Sequence, residues 1–126
     1  FYTRDHPQDW VSGAFMLLRR SAVELTQGFD ENYFMYGEEV EWCYRLHLAL
    51  PNSQSWYLVG PQVIHLGRAS ATAKSDPLLR EYQGVLSFFK KHRPAWQLPI
   101  LKFFLKINAA LRSLINPNYQ GLCSKI

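Results

Sequence analysis

The chain has 126 residues, 48% hydrophobic and 19% charged, a composition that fits a folded domain and excludes a disordered or low-complexity segment. Its net charge of +4, with a pI near 9.2, favours anionic partners. The cations are scattered, however, and no helix-turn-helix or RNA-binding signature accompanies them, which argues against a nucleic-acid partner. Cys43 and Cys123 are the only cysteines and show neither CxxC nor Cys/His spacing, so a disulfide framework and a zinc site are excluded and a reducing compartment is the default.

Residues 1–9 are polar, contain Pro7 and read as a loop or an incoming sheet edge. Trp10, Val11, Ser12 and Gly13 lead into the apolar run 14–18, which predicts a strand buried on both faces. Ser21 and Glu24 have capping-box spacing and predict a short helix that stops at Gly28. An aromatic turn then runs into Glu38, Glu39 and Glu41, where a second helix, 38–50, is expected to begin. Backbone N–H groups are unpaired at a helix start and the dipole there favours negative charge, so acids in the first turn suit a general base; they are also routine helix-start signals. Val40, Cys43, Leu46, Ala49 and Leu50 recur at helical spacing and should face the core. Glu41 and Arg45 sit four apart in the favourable order, worth a few tenths of a kcal/mol if exposed.

Pro51 breaks that helix, and strands are expected at 55–59 and 62–66 around the Gly60-Pro61 turn. The small, polar stretch 67–76 reads as a mobile loop. Pro77 opens a third helix, carried by Leu78, Tyr82, Val85, Leu86 and Phe89 through Lys91. Pro99 opens a last helix, 99–115, whose apolar residues cover most of its circumference and leave Lys102, Lys106 and Ser113 as a narrow polar stripe. It is too short and too charged to span a membrane, but such a helix suits a membrane interface, a domain core or a partner chain.

Three separate blocks carry a resemblance. Trp10-Val11-Ser12-Gly13-Ala14, Gly28-Phe29-Asp30-Glu31 with 34–45, and Val63-Ile64-His65-Leu66-Gly67 together resemble the C-terminal half of the catalytic domain of family 2 glycosyltransferases, in the rhamnosyltransferase-like branch that builds bacterial surface polysaccharides. The resemblance runs from residue 10 to about residue 70, and the spacing across three blocks makes it specific.

The resemblance implies a GT-A fold, in which a nucleotide-binding α/β half precedes an acceptor-binding half. The expected fold class is therefore α/β, here an α+β fragment with a few strands packed with helices and a helical tail: 1–76 as the acceptor and catalytic-base half, 77–126 as a C-terminal helical extension. Such enzymes transfer a sugar from a nucleotide-sugar with inversion, usually with Mg²⁺ or Mn²⁺. The family block Gly-Glu-Asp-x-Asp places its base at Glu39, with Glu38 beside it. Glu stands where the family has Asp at 39 and at 41, moving each carboxylate by about one bond length.

By the same resemblance His65 is the candidate metal ligand, the Ser12-Gly13 turn approaches a sugar, Trp10 stacks on a sugar face or is buried, and Arg45 steadies the acids through Glu41 or reaches a phosphate. The 67–76 loop corresponds to the place where such enzymes close over the donor. Nothing before Trp10 matches the family's nucleotide-binding units or its Asp-x-Asp metal motif, so the expectation is a C-terminal portion that is inactive alone. The partners implied are a nucleotide-sugar donor and a glycan or lipid-linked acceptor. From its own residues the basic helix 99–115 is expected to lean on the inner face of the cell membrane, from the cytoplasmic side, or on a partner chain, and the apolar content of the chain to favour self-association. The alternative is a non-catalytic glycan-binding or assembly module on a degenerate transferase scaffold.

Overall fold

The computed structural model describes residues 3–66 and 76–126. In chain order the elements are strand β1 (His6–Gln8), helices α1 (Arg20–Thr26) and α2 (Glu38–Ala49), strand β2 (Ser55–Tyr57), helices α3 (Asp76–His92) and α4 (Gln97–Ile115), and two 3₁₀ turns, Pro117–Tyr119 and Cys123–Lys125. The result is a helix-rich α+β chain with one small sheet among the described residues. It divides into two units: Phe1–Phe34 with Glu38–Gly67, and Met35–Gly37 with Arg68–Ile126.

In the first unit β1 and β2 pair antiparallel, with Pro7 opposite Trp56. The polar N-terminal stretch is thus a sheet edge, pinned further by Asp5, whose Oδ1 accepts the Val59 N–H at 2.8 Å. The core is Ala22, Trp42, Cys43 and Leu46, with Met16, Leu18 and Val23 packed against it. Burying a side chain of the size of Leu46 contributes about 1.5–3 kcal/mol.

The structure corrects several expectations for this unit. The run 14–18 is not a strand: Met16 and Leu18 point inward, while Phe15 and Leu17 lie exposed, since no neighbouring strand pairs with it among the described residues. Residues 62–66 are likewise irregular and exposed, for the same lack of a hydrogen-bonding partner, and the 55–59 strand is shortened to Ser55–Tyr57. No capping box forms. Helix α1 starts at Arg20, which puts Ser21 inside the helix, and Glu24 pairs with Arg20 at 2.8 Å. The helix ends through Gln27 and Gly28, both left-handed (φ 60° and 74°). Helix α2 begins at Glu38 as expected, but its buried face is Glu41, Trp42, Cys43 and Leu46, whereas Ala49 and Leu50 are exposed.

In the second unit α3 and α4 enclose Tyr82, Ala109 and Leu122, with Leu78, Leu79, Leu105, Tyr119 and Ile126 around them. The Tyr82 hydroxyl donates to Asn108 Oδ1, which also accepts from Arg112 Nε at 2.8 Å. Burial pushes the Tyr82 hydroxyl above its ordinary pKa against the opposing pull of Arg112. Helix α3 carries a buried glycine, Gly84, in mid-helix, where glycine costs about 1 kcal/mol relative to alanine. Its reason is close approach: a Cβ there would run into the carbonyl oxygen of Tyr36 and lie 3.7 Å from Gly37 Cα. Helix α4 packs through one side only. Ala109 is fully buried, whereas Phe103, Phe104, Leu111, Leu114 and Ile115 stand exposed on the other side. The 67–76 loop expected to close over a donor falls, but for Asp76, outside the described residues.

Candidate active site

The chain enters α2 through two successive left-handed residues, Tyr36 (φ 71°) and Gly37 (φ 94°). For tyrosine this backbone is unfavourable, of order 1 kcal/mol or more, and persists only where packing imposes it. The seat on Gly84 of α3 supplies that packing. The double left-handed turn leads straight into the helix, with Glu38 and Glu39 in its first turn. One carboxylate oxygen of each, Oε2, is buried and accepts no hydrogen bond from the described residues. Leaving buried polar oxygens unmatched costs about 1–3 kcal/mol apiece, which marks them as groups awaiting a donor.

The third acid has a different task. Glu41 is fully buried, and Arg45 Nε donates to both of its oxygens, at 2.9 and 2.8 Å. Arg45 also donates to the carbonyl oxygens of Thr26 at 2.5 Å and Gly28 at 2.6 Å. Those carbonyls belong to the C-terminal end of α1, which has no helical partners left for them. Trp42 Nε1 donates to Thr26 Oγ1 at 2.7 Å, and that hydroxyl donates to the Ala22 carbonyl at 2.7 Å. The ring of Phe29 meets Trp42 edge-on, with centroids 5.8 Å apart. Arg45 and Trp42 therefore lock the end of α1 onto α2 and set the axis from which Glu38 and Glu39 project. The pair, worth only a few tenths of a kcal/mol were it exposed, is a partly buried hub.

Of the residues singled out by sequence, Gly13 is brought to the acids: a Cβ added to it would lie 3.8 Å from Glu39 Cβ. Ser12 and Gly13 are exposed, and Ser12 Oγ accepts the Ala14 N–H at 3.3 Å, a local turn that holds the backbone beside α2. Trp10 is 46% exposed in irregular chain, so it is not the buried tryptophan that was the alternative to a stacking surface. The N–H groups of Arg45 are directed to acceptors of the fold, the first of the two roles read from sequence. His65 lies in the exposed, irregular stretch 61–66. Among the described residues no three His, Cys, Asp or Glu side chains cluster to hold a metal ion, so His65 and the acids do not by themselves make a Mg²⁺ or Mn²⁺ site, and no chemical step is derived through one.

Tyr33 lies near the Glu41–Arg45 hub, although its pattern in sequence marks it only as one aromatic among four in the turn. Its hydroxyl is buried and has no hydrogen-bond partner among the described residues. Burial first, then the negative charges of Glu41 and Asp30, push it up to about 12 against the pull of Arg45. It is a neutral donor at any working pH.

Comparison with known proteins decides the lineage. The chain is 35% identical over 112 residues to the N-acetylglucosaminyl-diphospho-decaprenol L-rhamnosyltransferase of Mycobacterium tuberculosis, in both strains CDC 1551 and H37Rv, a match covering 86% of this chain. The chain is a homologue of bacterial rhamnosyltransferases. Over 41 residues it is 51% identical to the rhamnosyltransferase WbbL of Escherichia coli K12, covering 32% of this chain and 16% of that protein. The resemblance read from the three sequence blocks is thereby borne out. The homologue spans 35% of the length of the mycobacterial relatives it matches. No protein-family model and no solved structure matches it.

Proposed function

We propose that this chain carries the catalytic base and the acceptor floor of an inverting, GT-A-type sugar transferase that moves a rhamnose-like sugar from a nucleotide-sugar to a lipid-linked saccharide. The relatives' names supply the reaction class, since the mycobacterial ones are rhamnosyltransferases for a decaprenol-linked N-acetylglucosamine. The observation that carries the reading is local: Glu39 lies in the first turn of α2 beside the Gly13 backbone, with a buried carboxylate oxygen that has no hydrogen-bond partner among the described residues.

In this reading the acceptor hydroxyl donates to Glu39, which takes its proton as the oxygen attacks the anomeric carbon. The leaving nucleoside diphosphate departs from the opposite face, inverting that centre. Glu38 accepts from a second acceptor hydroxyl. Gly13, lacking a side chain, leaves room for the sugar to lie against the backbone next to the base. Trp10 offers an apolar ring face to a pyranose. The end of α1 and the Arg45 hub hold the base within the few tenths of an ångström that proton transfer tolerates.

The test uses the whole protein with a nucleotide-activated rhamnose and a lipid-linked N-acetylglucosamine acceptor. Glu39→Gln should lower kcat by about 10²–10⁴-fold while leaving donor binding intact. Equal turnover by the variant would remove Glu39 from the mechanism. Saccharide binding without turnover in the wild type would favour the second reading, a non-catalytic glycan-binding module, for which the Glu residues at the two family Asp positions speak.

A further inference from the structure

Helix α4 presents two unlike sides. Ala109 is fully buried, and Leu98, Leu101 and Leu105 are half-buried around it. On the opposite side Ile100, Phe103, Phe104, Ile107, Leu111 and Leu114 recur at spacings of three and four and are 41–82% exposed. No charged residue interrupts this strip, which runs for about 21 Å at 1.5 Å per residue. An apolar strip this long on a water-facing helix marks a surface that something covers.

The charges around it say what. All ten acids of the chain fall at or before Glu81, so from Tyr82 to Ile126 every charge is positive. By helical periodicity Lys106 borders the strip on one side of α4, Lys102 lies further round, near Ala109, and Arg112, on the other side, donates to Asn108 and lies over the Tyr119 ring. Lys90, Lys91 and Arg93 precede α4, and Trp96, 65% exposed, stands directly before its first residue. Tryptophan with cations at the margin of an apolar face is the arrangement that sits at a lipid headgroup boundary. A second copy laid on the same strip would bring two acid-free, basic surfaces together, which like-charge repulsion opposes. Among the described residues no helix is long and apolar enough to cross a bilayer, so the contact is interfacial.

We infer that the outer face of α4 is a docking surface for an anionic lipid bilayer, with the helix lying in the membrane plane, its phenylalanines and leucines among the acyl chains, Lys106 at the headgroup phosphates and the surrounding acid-free, basic surface, Lys102 included, drawn to the anionic layer. This surface gives the membrane contact expected of 99–115 a specific set of residues and a charge requirement. It does not depend on the transfer chemistry, so Glu39→Gln should bind vesicles as tightly as the wild type.

The experiment is flotation of the full chain with vesicles of equal parts phosphatidylglycerol and phosphatidylcholine, and with phosphatidylcholine alone. The wild type should partition at least tenfold more strongly onto the anionic vesicles and weaken as salt is raised. Phe103→Ser with Ile107→Ser changes only exposed positions and should cut binding by roughly a hundredfold with an unchanged circular dichroism spectrum and Tm. Lys102→Gln with Lys106→Gln should cut it by roughly tenfold on anionic vesicles and leave binding to neutral ones unchanged. A wild type that does not float, a serine variant that floats as well as the wild type, or a dimer that the serine substitutions abolish would each overturn the inference, the last by assigning the strip to a second copy.

Discussion

Helix α2 buries a carboxylate, and helix α4 exposes a strip of leucine, isoleucine and phenylalanine. By composition the reverse would be expected, since ionised side chains are almost never fully buried unless paired and large apolar ones usually are. The difference lies in what each helix has beside it. Glu41 can sit at 0% exposure because Arg45 reaches it from the next turn and is itself anchored on two backbone carbonyls of α1. The outer face of α4 has no such partner among the described residues, and its acid-free surroundings suit a surface outside the protein. The first helix spends its burial on aiming two acids; the second keeps its apolar area for a contact.

Removing one member of the α2 hub is the strongest test of that contrast. Arg45→Met takes the guanidinium away from buried Glu41 and should cost about 3–5 kcal/mol in urea unfolding. Glu41→Gln combined with Arg45→Met should cost less than Arg45→Met alone, and additivity of the two would show that the pair is not coupled. Next in size is Gly84→Ala. Alanine improves a helix interior in isolation, so a neutral or stabilising result would mean that the Tyr36 carbonyl does not press on α3. The expected result is a loss of about 1–3 kcal/mol.

A smaller effect separates the two regions by pH. The Tyr33 hydroxyl titrates near 12 in the folded chain and near 10 in the unfolded one. The unfolded state therefore releases its proton first. The stability that this neutral group contributes is complete below pH 10 and is lost as pH rises through 12. Tyr33→Phe should remove that part of the alkaline loss, and the late phenolate absorbance with it, while Phe104→Ser on α4 should leave both unchanged. The smallest expected effect is on folding itself at the α4 strip: Phe104→Ser should change stability by no more than about 0.5 kcal/mol, because the side chain is 62% exposed. A large loss would mean that the strip is packed.

Helix α2 was legible in its starting residue because a glycine turn followed by three acids is a local signal, complete within a few residues. The helices around Tyr82 and Leu105 were legible from their spacing, and the acids and Gly13 from the family blocks. What could not be read was pairing. The runs at 14–18 and 62–66 have strand composition, yet a strand exists only if another lies beside it, and the neighbour is not written in the run. The same holds for Ser21 and Glu24, where Arg20 one turn back takes the acid that a capping box needs. It holds for Tyr33, whose burial depends on a fold around it.

By itself the sequence determined the chain's lineage, the order of its helices and the position of the acids, because each depends on residues close together along the chain or on motif spacing. Tertiary structure alone decided which charges are buried, which apolar face is left open and which strands form, because these depend on what residues distant in sequence bring alongside, and burial is a property of that company.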